Sequence, residues 1–191
     1  MTNITRLFKR MTLGFMLASV PVLGGCSNTG SWQEEVKLLD GRVITVTQKR
    51  RYESVYTGQD AGNIERESWL TFKLPEFGDQ KITWHENLYP IVLNLHNGKL
   101  YLVSLPPSGR EYRQYGKPIP PYMAYRYQVG QWQRIPITEI PEAIYNTNMW
   151  LDSKPPNNAG YVSLKDKEEE MKLEGLSGLM RRVNPNAKEG Y

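Results

Sequence analysis

Cysteine and histidine, which supply most metal ligands and redox groups in proteins, are scarce in this sequence. The 191 residues include one cysteine, Cys26, and two histidines, His85 and His96. A single thiol cannot form a disulfide within the chain, so packing and hydrogen bonds must stabilise the fold. The histidines show no H-x-x-x-H or similar spacing, and we interpret both as surface residues near turns. The sequence therefore predicts no metal site and no cofactor.

Motifs of the common catalytic classes are also missing. The sequence has no G-x-S-x-G nucleophile elbow, no phosphate-binding loop and no dinucleotide fingerprint. The run Glu168, Glu169, Glu170 predicts a solvated helix face, because consecutive helical residues point in different directions. A non-catalytic protein is favoured, while a hydrolase whose serine, histidine and acid assemble in space remains an alternative.

Long apolar runs are absent too, which argues against a membrane-spanning helix. The longest apolar stretch, residues 11–25, has fifteen residues, whereas a spanning helix needs about twenty. The residues before it include Arg6, Lys9 and Arg10 and no acid. A basic start, a short apolar segment and small residues at its end predict an export signal over residues 1–25 that is cleaved after Gly25.

The end of this signal, Leu23-Gly24-Gly25-Cys26, resembles the lipobox of bacterial lipoproteins. The resemblance implies diacylglyceryl transfer to the Cys26 thiol, cleavage between Gly25 and Cys26 and, in many bacteria, acylation of the new amino group. Two or more acyl chains anchor a protein stably, so the membrane is an expected partner. Ser27, in place of an Asp, implies sorting to the outer membrane, facing the periplasm. The alternative is a free cysteine after an ordinary secretory signal.

A strong excess of one charge is missing once the signal is removed. The whole chain has 24 Lys and Arg against 20 Asp and Glu, but residues 1–25 carry three basic residues and no acids. The remainder is nearly neutral, which excludes the basic surface expected of a nucleic-acid-binding domain.

What the sequence does contain is a succession of short alternating segments separated by turn residues. Asp40-Gly41 predicts a type I′ hairpin turn, and further hairpins are predicted at Asn97-Gly98 and Gly130-Gln131. These features predict a mainly β domain of antiparallel hairpins, with sandwich, barrel and meander left open.

The chain is predicted to divide into four parts. After the signal, residues 26–31 form the lipidated cysteine and a short polar tether, residues 32–162 the β-rich domain, and residues 163–191 a short C-terminal helix and a loose tail. Ser163 and Asp166 have the spacing of a capping box at the start of that helix.

The mature region also resembles a group of uncharacterised exported proteins of Gram-negative bacteria. The shared features are "LLDGRVITV", "ITW", "YGKPIPPY" and "WQRIPI". The resemblance implies secretion and one shared domain, and it implies no activity.

One stretch, residues 109–127, is a candidate recognition surface on a long loop. Aromatic rings and guanidinium groups stack on sugars and peptides, and the stretch is rich in both. The candidate residues are Arg110, Tyr112, Arg113, Tyr115, Tyr122 and Arg126. The alternative is that these tyrosines brace the loop against the sheet.

The sequence thus predicts a lipid-anchored envelope protein that acts as an accessory or protein-binding module. A glycan- or peptidoglycan-binding lipoprotein is the main alternative, because Tyr and Trp faces also serve as stacking platforms for sugar rings.

Overall fold

The computed structural model describes residues 28–57, 60–151, 160–173 and 182–188. The predicted signal peptide and Cys26 lie outside these ranges. The described chain forms nine strands, two α-helices and three short 3₁₀ helices. The strands are β1 (Asn28–Lys37), β2 (Val43–Thr57), β3 (Asp60–Phe72), β4 (Ile82–Glu86), β5 (Tyr89–His96), β6 (Lys99–Leu105), β7 (Met123–Gln128), β8 (Gln131–Ile135) and β9 (Tyr161–Val162). The α-helices are α1 (Gly109–Gln114) and α2 (Leu164–Leu173), and the 3₁₀ helices are Pro75–Phe77, Ile137–Glu139 and Glu142–Ile144.

The strands form two sheets in a sandwich-like arrangement, so the predicted mainly β class is confirmed. One sheet has five strands in the order β4-β3-β2-β1-β9, and the other has four in the order β5-β6-β7-β8. Neighbouring strands are antiparallel except β9, which pairs in parallel with β1. Of the three architectures that the sequence left open, the structure selects the sandwich.

Two apolar layers hold the molecule together. The main core lies between the sheets, where Leu70 and Trp84 of the five-stranded sheet meet Leu102 and Tyr125 of the four-stranded sheet. A second layer covers the opposite side of the four-stranded sheet. Its buried residues include Ile91, Val103, Tyr122, Ile140, Ile144 and Val183. Strands β5 and β6 are therefore buried on both faces, which explains their nearly continuous apolar sequences.

The hairpin turns follow the sequence in position but differ in type. Asn97 and Gly98 both have positive φ, 49° and 69°, as a type I′ turn requires. At the next hairpin the tip is Val129-Gly130, with φ of 51° and 78°, one residue earlier than predicted. At Asp40-Gly41 the type I′ prediction is wrong, because only Gly41 has a positive φ, 88°. There the Leu38 N–H donates to the Arg42 carbonyl, which closes a longer turn.

Three predicted segments differ in the structure. The tether predicted over 26–31 is shorter, because β1 already starts at Asn28 and pairs with β2. The predicted loop at 109–114 is helix α1, whose first turn is capped by the Ser108 hydroxyl accepting from the Arg110 N–H. The predicted loose tail contains Val183, which is buried in the second layer with 2% of its surface exposed. The predicted C-terminal helix is confirmed as α2.

Candidate binding surface

The side of the five-stranded sheet that faces away from the four-stranded sheet carries polar and charged side chains. It arises from the period-two alternation of the strands: Trp32, Glu34 and Val36 of β1 point inward and are buried, while their neighbours are not. We call this side the outer face. Its residues on β1 to β4 include Ser31, Gln33, Thr45, Thr47, Lys49, Arg51, Glu67, Trp69, Thr71, Thr83 and His85.

One transverse row of this face is centred on Trp69. In the strand register Trp69 stands opposite Lys49 on one side and His85 on the other. The rings of Trp69 and His85 are stacked, with centroids 4.5 Å apart and an interplanar angle of 11°. The Lys49 ammonium lies 5.1 Å from the centre of the Trp69 ring, within the range of a cation–π contact. The row is therefore an aromatic platform with a cation beside it.

The next row carries hydroxyl groups. Thr47 stands opposite Thr71, which stands opposite Thr83, and the hydroxyl oxygens of Thr71 and Thr83 are 3.3 Å apart. Cross-strand pairs of β-branched residues stabilise a sheet. Their hydroxyls also present donors and acceptors in a regular line to anything that contacts the face.

Three lysines, Lys49, Lys73 and Lys81, surround a shallow depression of about 800 Å³ in this face, and no carboxylate lines it. Within the described part of the chain, none of the three lysines forms an ion pair. The depression therefore has an uncompensated positive charge.

Two carboxylates of the outer face, Glu35 and Glu67, form hydrogen bonds with other groups. Glu35 accepts hydrogen bonds from the Leu164 N–H and the Tyr161 hydroxyl, both at 2.9 Å, and these bonds hold the pKa of Glu35 below its ordinary value. Glu67 accepts from Arg51 at 2.7 Å, which likewise lowers the pKa of Glu67. Both carboxylates are therefore bonded to groups other than the three lysines.

The recognition residues predicted on residues 109–127 do not lie together on one surface. Three of them belong to α1. Arg110 is held by Glu111 at 3.0 Å and Glu53 at 3.4 Å, Tyr112 is half-buried, and Arg113 is exposed. Only the two arginines of this helix present a largely exposed charge.

The other three predicted residues have structural roles. Tyr115 packs against the main core and donates to Glu86 at 2.8 Å, and burial together with this bond raises the pKa of its hydroxyl. Tyr122 is 7% exposed, and its hydroxyl accepts from the Asn184 N–H. Arg126 on β7 pairs with Glu139 at 3.3 Å. The prediction for Tyr122 is therefore corrected, because its ring is part of the second apolar layer.

A buried charged cluster on the inner face was not predicted. The Arg50 guanidinium is fully buried between the rings of Trp32 and Tyr89, 4.7 Å and 4.1 Å from their centres. It lies 3.1 Å from the Glu65 carboxylate and donates to Gln48. The signal was present in the sequence, because the alternation through Val46, Gln48, Arg50 and Tyr52 places Arg50 inward.

Two further buried ion pairs connect separate elements. Arg66 of β3 pairs with the fully buried Glu111 of α1 at 2.9 Å. Lys167 of α2 lies 3.6 Å from Glu34 of β1. The sequence indicates the position of Glu111 in the first of these pairs, because Ser108 followed by Glu111 three residues later has the form of a capping box. In the structure the Ser108 hydroxyl donates to the Glu111 carboxylate. These buried charges connect the elements of the fold.

The two histidines do not approach each other in a common site. His85 is half-exposed and lies 3.6 Å from Glu67, while His96 ends β5 beside the Asn97-Gly98 turn. Among the described residues no group of three His, Cys, Asp or Glu side chains could hold a metal ion. No helix in the same ranges is long and apolar enough to span a membrane.

Comparisons of the chain with protein-family models, with curated proteins and with solved structures found no match. The proposals below therefore rest on the motif around Cys26 and on the placement of the described side chains.

Proposed function

We propose that this protein is a lipid-anchored domain of the bacterial envelope, held at the periplasmic side of the outer membrane, that acts as a non-catalytic accessory or protein-binding module. The observation that carries the proposal is the start of β1 at Asn28, two residues after the lipobox cysteine Cys26. An extended connection of two residues spans about 7 Å. The folded domain would therefore begin directly at the membrane surface.

The buried charged side chains pair with one another, and this supports a binding role over a catalytic one. Catalytic groups must reach a substrate, whereas Arg50, Glu65, Arg66 and Glu111 are buried and bonded to one another in pairs. The outer face, by contrast, is open and carries cations, hydroxyls and an aromatic ring. Such a surface can bind another molecule or a membrane without altering it chemically.

The proposal is tested by the chemical state of Cys26 in a bacterial host. The full-length chain is expressed, extracted from membranes with detergent, and its N-terminal peptide is analysed by mass spectrometry. We expect a peptide that begins at Cys26 and carries diacylglyceryl. A Cys26→Ser variant should remain as the uncleaved, unlipidated precursor. A wild-type chain with an unmodified Cys26 would overturn the proposal.

The accessory role is tested by crosslinking in the same cells before extraction. We expect one recurrent envelope protein, attached at the same surface lysines in repeated experiments. Recovery of the chain with no recurrent protein would contradict a protein-binding role.

A further inference from the structure

We propose that the outer face of the five-stranded sheet lies against the anionic headgroups of the membrane that holds the lipid anchor. The inference rests on the proposed function, because it takes Cys26 as the attachment point. Three features of the molecule support it: the short connection between Cys26 and Asn28, the position of the outer face beside that connection, and the positive charge of the outer face.

The hairpin formed by β2 and β3 extends beyond the start of β1. Asn28, the first residue of β1, pairs with Tyr52, but β2 and β3 continue beyond this pair as a hairpin arm that reaches the pair Thr57 and Asp60. Because β1 and β2 are antiparallel, the arm extends beyond the N-terminal end of β1. Five residues from Glu53 to Thr57 span about 17 Å, whereas the connection to Cys26 spans about 7 Å.

If the strands stood perpendicular to the membrane, the arm would therefore enter the bilayer. The described side chains of the arm include Glu53, Ser54 and Asn63, which are exposed, and burial of such groups in hydrocarbon is unfavourable. We infer that the strands lie along the membrane surface.

The outer face is the side of the molecule that the short connection allows to contact the membrane. The inner side of the five-stranded sheet is covered by the other sheet, and packed sheets are about 10 Å apart. The far side of the molecule is separated from Asn28 by both sheets and the second apolar layer, which is farther than the connection reaches. The outer face, in contrast, includes residues of β1 itself.

The outer face is also chemically complementary to anionic headgroups. Lys49, Lys73 and Lys81 supply positive charge without an opposing carboxylate, and lysines near an anionic leaflet attract its headgroups. Thr71 and Thr83 offer hydroxyls to phosphate oxygens, and Trp69 belongs to the residue type enriched at membrane interfaces. Three lysines bind weakly on their own, but the anchor supplies a high effective concentration of headgroups.

The test uses the acylated full-length chain reconstituted into vesicles. Because the Cys26 thiol carries lipid in the proposed form, an introduced cysteine is the only free thiol and can take a fluorescent label. Thr47→Cys places the label on the outer face, and Thr138→Cys places it on the exposed 3₁₀ helix Ile137–Glu139 beyond the four-stranded sheet. The neutral quencher acrylamide then reports the exposure of each label.

We expect acrylamide quenching at position 47 to be about threefold weaker in vesicles of phosphatidylglycerol and phosphatidylethanolamine than in vesicles of phosphatidylcholine alone. Quenching at position 138 should be equal in both. The triple variant Lys49→Glu, Lys73→Glu, Lys81→Glu should remove the protection at position 47. A matched variant, Lys99→Glu, Lys117→Glu, Lys188→Glu, makes the same charge change at exposed lysines elsewhere and should keep it.

The other outcomes are distinguishable. Equal quenching at position 47 in both kinds of vesicle, with Cys26 acylated, would overturn the contact with anionic headgroups and leave the proposed function intact. Protection that appears only when isolated sacculi are added would assign the face to a glycan and also overturn docking. An unmodified Cys26 would overturn the proposed function and, with it, the orientation.

Discussion

At the scale of single residues, the most unusual feature is the fully buried guanidinium of Arg50. Its position between the Trp32 and Tyr89 rings compensates part of the cost of removing a cation from water. The Glu65 carboxylate and the Gln48 amide oxygen compensate more of it. The cluster connects β1, β2, β3 and β5, because its members come from all four strands.

Replacement of Arg50 should destabilise the protein strongly. In Arg50→Met the Glu65 carboxylate stays buried without its cation, so we expect a loss of roughly 3 to 5 kcal/mol in the free energy of unfolding. Arg50→Lys should recover only a small part, because an ammonium lacks the planar fork that fits between the two rings. Urea denaturation measures both variants.

The neighbouring arginine provides the control. Arg51 points to the outer face and pairs with Glu67 in a partly exposed ion pair. Arg51→Met should therefore cost less than about 1 kcal/mol. Equal losses for the two variants would show that the burial of Arg50 does not determine its contribution.

At the scale of elements, α2 is attached to β1 by the Leu164 N–H, which donates to Glu35, and by the buried Lys167. The Lys167 ammonium donates to the carbonyls of Glu35 at 2.6 Å and Asn148 at 2.7 Å and lies beside Glu34. Burial lowers the pKa of Lys167, although the charge of Glu34 opposes this effect. The other side chains of the helix that the structure describes are mostly charged.

Loss of this lysine should release the helix. We expect Lys167→Met to lower the free energy of unfolding by roughly 3 kcal/mol, because Glu34 loses its cation in a buried site. Amide hydrogen exchange over residues 164–173 should become faster. Lys165→Met is the control on the same helix, since Lys165 is 82% exposed and, among the described residues, its ion pair is with Glu169. Unchanged exchange in Lys167→Met would contradict the attachment.

The start of α2 should respond to pH through Asp166. Its carboxylate accepts from the Ser163 hydroxyl and the Ser163 N–H, and these bonds lower the pKa of Asp166 below the ordinary value of 3.8. A lowered pKa means that the stabilisation is present above pH 3.8 and is lost as the pH falls below it.

Comparison of wild type with Asp166→Asn isolates this contribution. We expect wild type to be more stable by about 1 kcal/mol at neutral pH, and the difference to shrink towards zero in acid. Denaturation at a series of pH values measures it. A difference that stays constant with pH would show that the charge of Asp166 does not support the helix.

At the scale of the whole molecule, the connection to Cys26 and the hairpin arm would determine how the domain lies on a membrane in the proposed lipid-anchored form. A flexible insertion after Ser27 should weaken docking of the outer face. Ten Gly and Ser residues span about 17 Å on average, which lowers the effective concentration of headgroups at the face and lets the arm clear the bilayer. We expect acrylamide quenching of the label at position 47 to increase in anionic vesicles.

The control for this prediction is the label at position 138, which should be unaffected by the insertion. Unchanged protection at position 47 would mean that the lysines alone set the orientation, without help from the short connection.

The sequence by itself determined the local features of this protein. The hairpin tip at Asn97-Gly98 and the capping box of Ser163 and Asp166 depend on residues close in sequence, and so do the predictions of an export signal and of a lipobox at Cys26. Such features follow from backbone conformation and from spacing alone. The mainly β class was predicted for the same reason, since period-two alternation is a local pattern.

Only the tertiary structure decided which face of each strand is buried and against what. The alternation through Arg50 does not reveal that two rings and a carboxylate from other strands surround it. Nor does the sequence of residues 109–127 show that Tyr115 and Tyr122 belong to different apolar layers. The arrangement of the two sheets and the lysines of the outer face depend on contacts between distant residues. These contacts form because apolar side chains from both sheets must share one core, and no short segment encodes that choice.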